Sequence, residues 1–447
     1  MNRYTNSIGV QVPEVLLPRK DADFYKWAVV ACDQYTSQPA YWEEAASIAG
    51  ETPSTLNLIL PEAYLGKPGE AERIVRVKET MHKYLADGVF EKKEPGFVFV
   101  RRSAEGKERL GLVMALDLEH YDYSKGAKTL IRATEGTIVD RIPPRLRIRE
   151  GAPIELPHIL VLIDDPARTV IEPLADKLSD MELLYDTDLM LNGGHISGHH
   201  VSKPALIEQV LGALSALTDA KAFAEKYGEG AAPLLFAMGD GNHSFATAKA
   251  AWEAIKKTLP ESERANHPAR YALVEIENVH DEGIVFEPIH RVLFGVDPEA
   301  AIVALKAQLA RLNGSAERIL CDNREQVNEL LKTTSEGVHL LPYFHGGKCG
   351  LFRVTSPAQQ LSVGTLQTAI DAMLKEMPGS EVDYIHGEDV VLELSGRADA
   401  VGFLLPAMKK SELFPTVVFD GALPRKTFSM GEANEKRYYL ECRKILP

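Results

Sequence analysis

The chain has 447 residues, too many for one compact core, so two or three domains are expected. Hydrophobic residues make up 45% and charged residues 26%, ordinary for a globular enzyme, while a net charge of −14 argues against a primary role on a nucleic-acid backbone and leaves room for a small anion held by a few local cations. No apolar run reaches about 18 residues, the N-terminus lacks an export signal, and the four cysteines (Cys32, Cys321, Cys349, Cys442) are widely spaced, so no membrane partner is expected and the cytoplasm is the expected compartment.

Residues 1–65 hold many prolines and aromatics without a clear period, which predicts extended segments and short helices. From 70 to 85, Ile74, Val77, Met81, Tyr84 and Leu85 recur at helical spacing. Residues 97–100 and 110–118 predict strands joined through Glu105-Gly106-Lys107. The stretch 124–157 is rich in Arg and Thr, poor in apolar residues, and predicts an ordered loop region. Residues 158–164 form an apolar strand that ends at Asp164-Asp165-Pro166. A helix is expected over 207–227, a buried strand over 233–238, a helix over 244–257 and a strand over 269–279. Beyond about 294 the pattern changes. Ile302, Leu305, Leu309 and Leu312 predict one helix, and Val327, Leu330 and Leu331 another. Residues 338–344 and 350–355 predict a hairpin around Gly346-Gly347, 366–377 a helix, and 400–406 a strand. The whole predicts an α+β, mixed α/β protein, with domains at 1–294 and 295–447 and a C-terminal tail able to return to the first half.

The segment most suggestive of function is 239–244, Gly-Asp-Gly-Asn-His-Ser, between a strand and a helix. Gly239 and Gly241 permit close backbone approach, and Asp240, Asn242 or Ser244 can cap the helix. The first-turn N–H groups lack intrahelical partners, which makes a helix start of this kind receptive to anions. His243 at the mouth can donate to a phosphate or move a proton. The same residues equally suit a plain, well-capped joint.

This loop resembles the DGHHR signature of domain-of-unknown-function family 1015. Further blocks resemble that family in the same order: 55–65, 131–137 (IRATEGT), 269–293, 398–406 and 423–428 (LPRKTF). The resemblance implies a ParB/sulfiredoxin-like nucleotide-binding core, a wider group that includes kinases of free serine. It therefore implies phosphoryl transfer from ATP or ADP, with a magnesium ion, to a small hydroxylated substrate, with no nucleic-acid partner expected. Asn242 and Ser244 depart from the signature, and Ser244 removes an Arg that would grip phosphate as a fork. Arg132, Arg141, Arg291, Arg425 and Lys426 are the candidates to replace it.

Glu135 and Asp240 are candidate bases or magnesium ligands, and His243 completes the catalytic set. Phosphate binding is expected from Gly239, Gly241, Asn242, Ser244, Arg132, Arg141, Arg425 and Lys426. Thr137, His290 and Arg291 are candidates for the substrate. His195, His199 and His200 (NGGHISGHH) invite a metal reading, but three glycines argue against a helical His-x3-His face and favour a glycine-rich loop or lid. A nucleotide-responsive regulatory module of the ParB type, or a metal-assisted hydrolase, are the rival functions.

Overall fold

The structure is a computed structural model and describes residues 7–138, 141–333 and 335–447; the first six residues, part of the stretch scanned for an export signal, lie outside it. The chain is a mixed α/β protein in two compact units, Met1–Val285 with Met430–Pro447, and Phe286–Ser429. The boundary precedes the expected one because Phe286–Phe294 forms a strand in the second unit's sheet. Among the described residues no helix is long and apolar enough to cross a membrane.

A ten-stranded sheet organises the first unit. Its strands include β1 (Phe97–Ala104), β2 (Lys107–Asp117), β3 (Ile131–Arg132), β4 (Leu160–Ile163), β5 (Glu182–Leu189), β6 (Gly194–Val201), β7 (Phe236–Asp240) and β8 (Tyr271–Asn278). Their spatial order is β5-β6-β1-β2-β8-β4-β7-β3. Most neighbours are antiparallel, but β4 runs parallel to β8 and β7 runs parallel to β3. Apolar residues follow one another along β1 and β2 because both faces of the sheet are buried. Phe97, Phe99, Leu112 and Met114 enter one core cluster, while Val98, Val100, Val113 and Ala115 enter another.

The helices of this unit include α1 (Glu70–Ala86), α2 (Ile142–Arg149), α3 (Pro204–Ala216), α4 (Ala220–Tyr227) and α5 (Asn242–Thr258). The single helix expected over 207–227 is two, because Asp219 accepts from Ala222 N–H and caps a new start. The Arg-rich stretch expected to be loop contains α2, which opens on Pro143 and Pro144, where missing N–H groups cost nothing. The tail closes onto this unit. Tyr438–Tyr439 pairs with Val29–Val30, and Arg443–Lys444 with Ile154–Glu155.

In the second unit, strands β9 (Phe286–Phe294), β10 (Glu317–Cys321), β11 (His339–His345), β12 (Lys348–Val354), β13 (Glu381–His386) and β14 (Ala400–Phe403) lie in the order β10-β12-β11-β14-β9-β13. The hairpin expected over 338–355 is β11–β12. Helix α6 (Pro298–Asn313) buries Ile302, Leu305 and Leu309, and α8 (Ser362–Leu374), beyond α7 (Arg324–Leu331), buries Leu366, Ile370 and Met373.

Candidate active site

Strand β7 delivers the chain to the loop at 239–244. Gly241 adopts φ +79 and opens α5; a Cβ there would sit 3.1 Å from Ile159 Cα in a conformation that L side chains avoid. Phe245, Ala246, Ala248 and Trp252 then bury one face of α5 in the core, which fixes the helix start in space.

Asp240 accepts from Gly241 N–H at 2.8 Å and pairs with Lys436 at 3.1 Å. Burial works to raise its carboxyl, but Lys436, with help from His158 and the Gly241 N–H, holds it below the ordinary value. Asp240 is therefore ionised at neutral pH. Lys436 comes from the returning tail and is only 8% exposed at its side chain.

Asn242 and His243 tie the loop to the segment after β3. Asn242 Oδ1 accepts from Thr134 N–H at 3.2 Å, and Thr134 Oγ1 donates to Met238 O at 2.6 Å. His243 Nε2 accepts from Ile138 N–H at 3.3 Å, which leaves Nδ1 to carry the proton of the neutral ring. Glu135 and Thr137 lie within this tethered segment and are partly exposed.

Ser244 belongs to a second chain of contacts. Its Oγ is 2.9 Å from His158 Nε2, and His158 Nδ1 is 2.7 Å from the Tyr439 hydroxyl. That hydroxyl accepts from Cys32 N–H, and Asp33 stands 3.7 Å from the imidazole. Ser244 and Thr247 of α5 line one wall of a cavity of about 140 Å³, with Leu58, Ile59, Leu156 and Ile148 on other walls. Two ion-paired carboxylates, Glu62 and Glu155, border it. Arg145 of α2 holds Glu62, whose carboxyl burial pushes up against the pull of that guanidinium. Arg149 and Arg443 hold Glu155.

The proposed substitutes for the loop's missing Arg fare differently. Arg132 is buried and donates to Thr129 O, Ala232 O and Pro233 O, so it braces β3 instead of presenting a fork to a phosphate. Arg141 is exposed and precedes α2, its carbonyl accepting from Arg145. His290, Arg291, Arg425 and Lys426 lie in the second unit. There Arg291 is fully buried, donating to Gln367, Ile289 O and Arg425 O beneath the Tyr384 ring, a core role instead of the expected substrate contact. His290 is buried too, its Nδ1 accepting from Leu405 N–H, and burial lowers its pKa. Arg425 pairs with Asp371, and Lys426 holds a left-handed turn at φ +55.

The His195–His200 stretch is not a loop or lid. It is strand β6, paired on both sides with β5 and β1. Residues 190–193 make the hairpin turn, with Leu191 at φ 54 and Asn192 at φ 62; Gly194 opens β6 at φ +80, and Gly198 leaves room for the Tyr185 ring. Alternation along the strand sends His199 and His200 to opposite faces, His200 onto Glu94 O, while His195 sits between Asp186 and Asp188. Among the described residues no group of three or more His, Cys, Asp or Glu is arranged to hold a metal by itself. The carboxylates on and beside the loop are Asp240, paired with Lys436, and Glu135, which is partly exposed.

These features define a mixed α/β protein with an ionised, cation-paired loop at the start of a buried helix. The chain belongs to the DUF1015 family, proteins of unknown function, whose model matches residues 15–373. No curated protein matches it. It is similar to the solved structure of a free serine kinase in complex with AMP, with 12% identity, a TM-score of 0.37, and coverage of 75% of this chain and 91% of that one. It is also similar to a conserved hypothetical protein from Pyrococcus furiosus, with 13% identity, a TM-score of 0.34 and coverage of 73% and 90%. A third likeness is to SbnI with a C-terminal truncation from Staphylococcus aureus, with 11% identity, a TM-score of 0.34 and coverage of 71% and 82%.

Proposed function

We propose that the protein is a nucleotide-dependent phosphotransferase that moves a phosphoryl group from ATP or ADP to the hydroxyl of a small metabolite in the cytoplasm. One observation carries the reading: a left-handed glycine opens a core-anchored helix beside an ionised Asp240 already paired with Lys436. In this reading the N–H groups at the start of α5, which have no intrahelical partner, receive the phosphates. Lys436 supplies the cation that the substitution at Ser244 removes, and it neutralises charge as the phosphoryl group transfers. His243 donates from Nδ1 to a phosphate oxygen. Glu135 takes the proton of the attacking hydroxyl; the new O–P bond forms as the bridging P–O bond breaks, and the nucleotide leaves one phosphate shorter. Glu135 or Asp240 would hold a magnesium ion that accompanies the nucleotide, and that ion would supply further charge stabilisation. Catalysis of this kind is mainly positioning plus electrostatics, so one base and a few fixed charges suffice.

The test is phosphoryl transfer by the full chain from labelled ATP or ADP, with magnesium, to a panel of hydroxylated compounds that begins with free serine. His243→Ala should abolish transfer while leaving the unfolding transition in place. Undiminished turnover in that variant would contradict the role of His243.

A further inference from the structure

The cavity beside Ser244 has walls chemically unlike a site for a small zwitterion. It measures about 140 Å³, and Leu58, Ile59, Met81, Ile148 and Leu156 form much of its lining. A comparably sized pocket of roughly 150 Å³ with Leu, Ile and Phe walls accepts a six-carbon ring. The charged groups at its border are already matched, Arg145 with Glu62, and Arg149 and Arg443 with Glu155. A zwitterion would have to break these pairs to seat its ammonium and carboxylate, at the desolvation penalty of each stranded partner. A neutral hydroxyl faces no such barrier. It can approach the Ser244 Oγ–His158 Nε2 pair, which stands 2.9 Å apart, and exchange a hydrogen bond with Ser244 Oγ, a group with one donor and two acceptor positions, while the pair stays joined.

We propose that this cavity is the acceptor subsite and that the acceptor is an alcohol with an apolar body of about six carbons, its hydroxyl held by the Ser244–His158 pair at the foot of the phosphate loop. The assignment rests on the phosphotransferase reading for the fate of the hydroxyl, but the ligand class follows from the cavity alone. Ser244 then has a use of its own: an Arg at that position would thrust a cation into an apolar pocket.

Binding can be tested without nucleotide. Ligand-observed NMR on the full chain, with cyclohexylmethanol and free serine as probes, should show saturation transfer to cyclohexylmethanol and none to serine. Leu156→Trp, on a half-buried wall, should fill the space and lower cyclohexylmethanol binding at least tenfold; Ile148→Trp serves if the first variant does not fold. Binding of serine in preference to cyclohexylmethanol, or cyclohexylmethanol binding unchanged by a folded wall variant, would overturn the subsite. Cyclohexylmethanol bound in the cavity, with no phosphoryl transfer to it from ATP or ADP, would uphold the ligand class and remove the phosphotransferase reading instead.

Discussion

Replacing Arg437 with Met tests how the returning tail holds the site. The Arg437 side chain is 1% exposed and lies between Glu275 and Glu441, which are equally buried, with its Nε donating to Pro157 O. Glu441 also accepts from the Tyr185 hydroxyl at 2.5 Å. Methionine fills most of the volume but strands two carboxylates away from water. Breaking a buried pair from one side costs about 3–5 kcal/mol, a large part of the roughly 5–15 kcal/mol that keeps a domain folded. Trp27, Trp42 and Trp252 are the chain's three tryptophans and all lie in the first unit, so tryptophan fluorescence during urea unfolding reports that unit specifically. The midpoint should fall steeply. The sign of the pH effect follows from the stranded acids. Burial without a partner makes the native state of the variant hold protons that the unfolded chain releases, so stability is lost as pH rises. The deficit should therefore be larger at pH 8 than at pH 5. A loss below about 1 kcal/mol, or a deficit that grows toward acid, would refute this account of the network.

Other variants probe the loop and the core. Gly241→Ala, forced to φ +79 against Ile159, should destabilise the first unit by about 1–2 kcal/mol, and an unchanged urea midpoint would contradict the strain. Lys436→Met should weaken nucleotide binding at least tenfold, about 1.4 kcal/mol, by calorimetric titration; unaltered affinity would remove Lys436 from phosphate recognition. Glu277 is fully buried, and burial pushes its carboxyl up to about 7 despite Arg109 beside it. A folded pKa above the unfolded one means stability present below the ordinary value of 4.5 is lost as pH rises through about 7. Glu277→Gln should flatten stability between pH 5 and 8, and a slope that persists would assign it to another group.

Much of this molecule was legible where local pattern and tertiary demand agree. The helix expected over 70–85 is α1, because Ile74, Val77, Met81 and Tyr84 form the stripe it buries. The strands at 97–100 and 110–118, the hairpin at 338–355 and the strand–turn–helix at 233–257 were equally readable. The helix in 124–157 was hidden because α2 holds two Pro and three Arg among its eight residues and buries only Ile142. The β5–β6 hairpin was hidden because its glycines serve strand packing against Tyr185 and a tight turn, a use that composition cannot separate from flexibility. The loop could be found from its glycines and its place between a strand and a helix, but not as a side-chain cap: Gly241 is the N-cap, and Asp240, Asn242 and Ser244 bond to Gly241 N–H, Thr134 and His158 instead. Lys436 and Tyr439 could not be found, because they arrive through pairing of Tyr438–Tyr439 with Val29–Val30, a contact across more than 400 positions that leaves no local mark; His158 enters just before β4, and nothing local marks its contacts with Ser244 and Tyr439. Arg291 shows the reverse error: a His-Arg pair after a strand suggested a ligand, but the guanidinium satisfies carbonyls inside a core.

The claim that the loop at 239–244 grips nucleotide phosphates is tested most directly by the thermal stability of the full chain with ATP, ADP, CTP or GTP, each with and without magnesium. A ligand that binds only the folded protein must raise its melting temperature. ATP or ADP with magnesium should raise it for the native chain, and the rise should vanish in His243→Ala and shrink in Lys436→Met. No rise with any nucleotide, or an equal rise in all three proteins, would contradict the account.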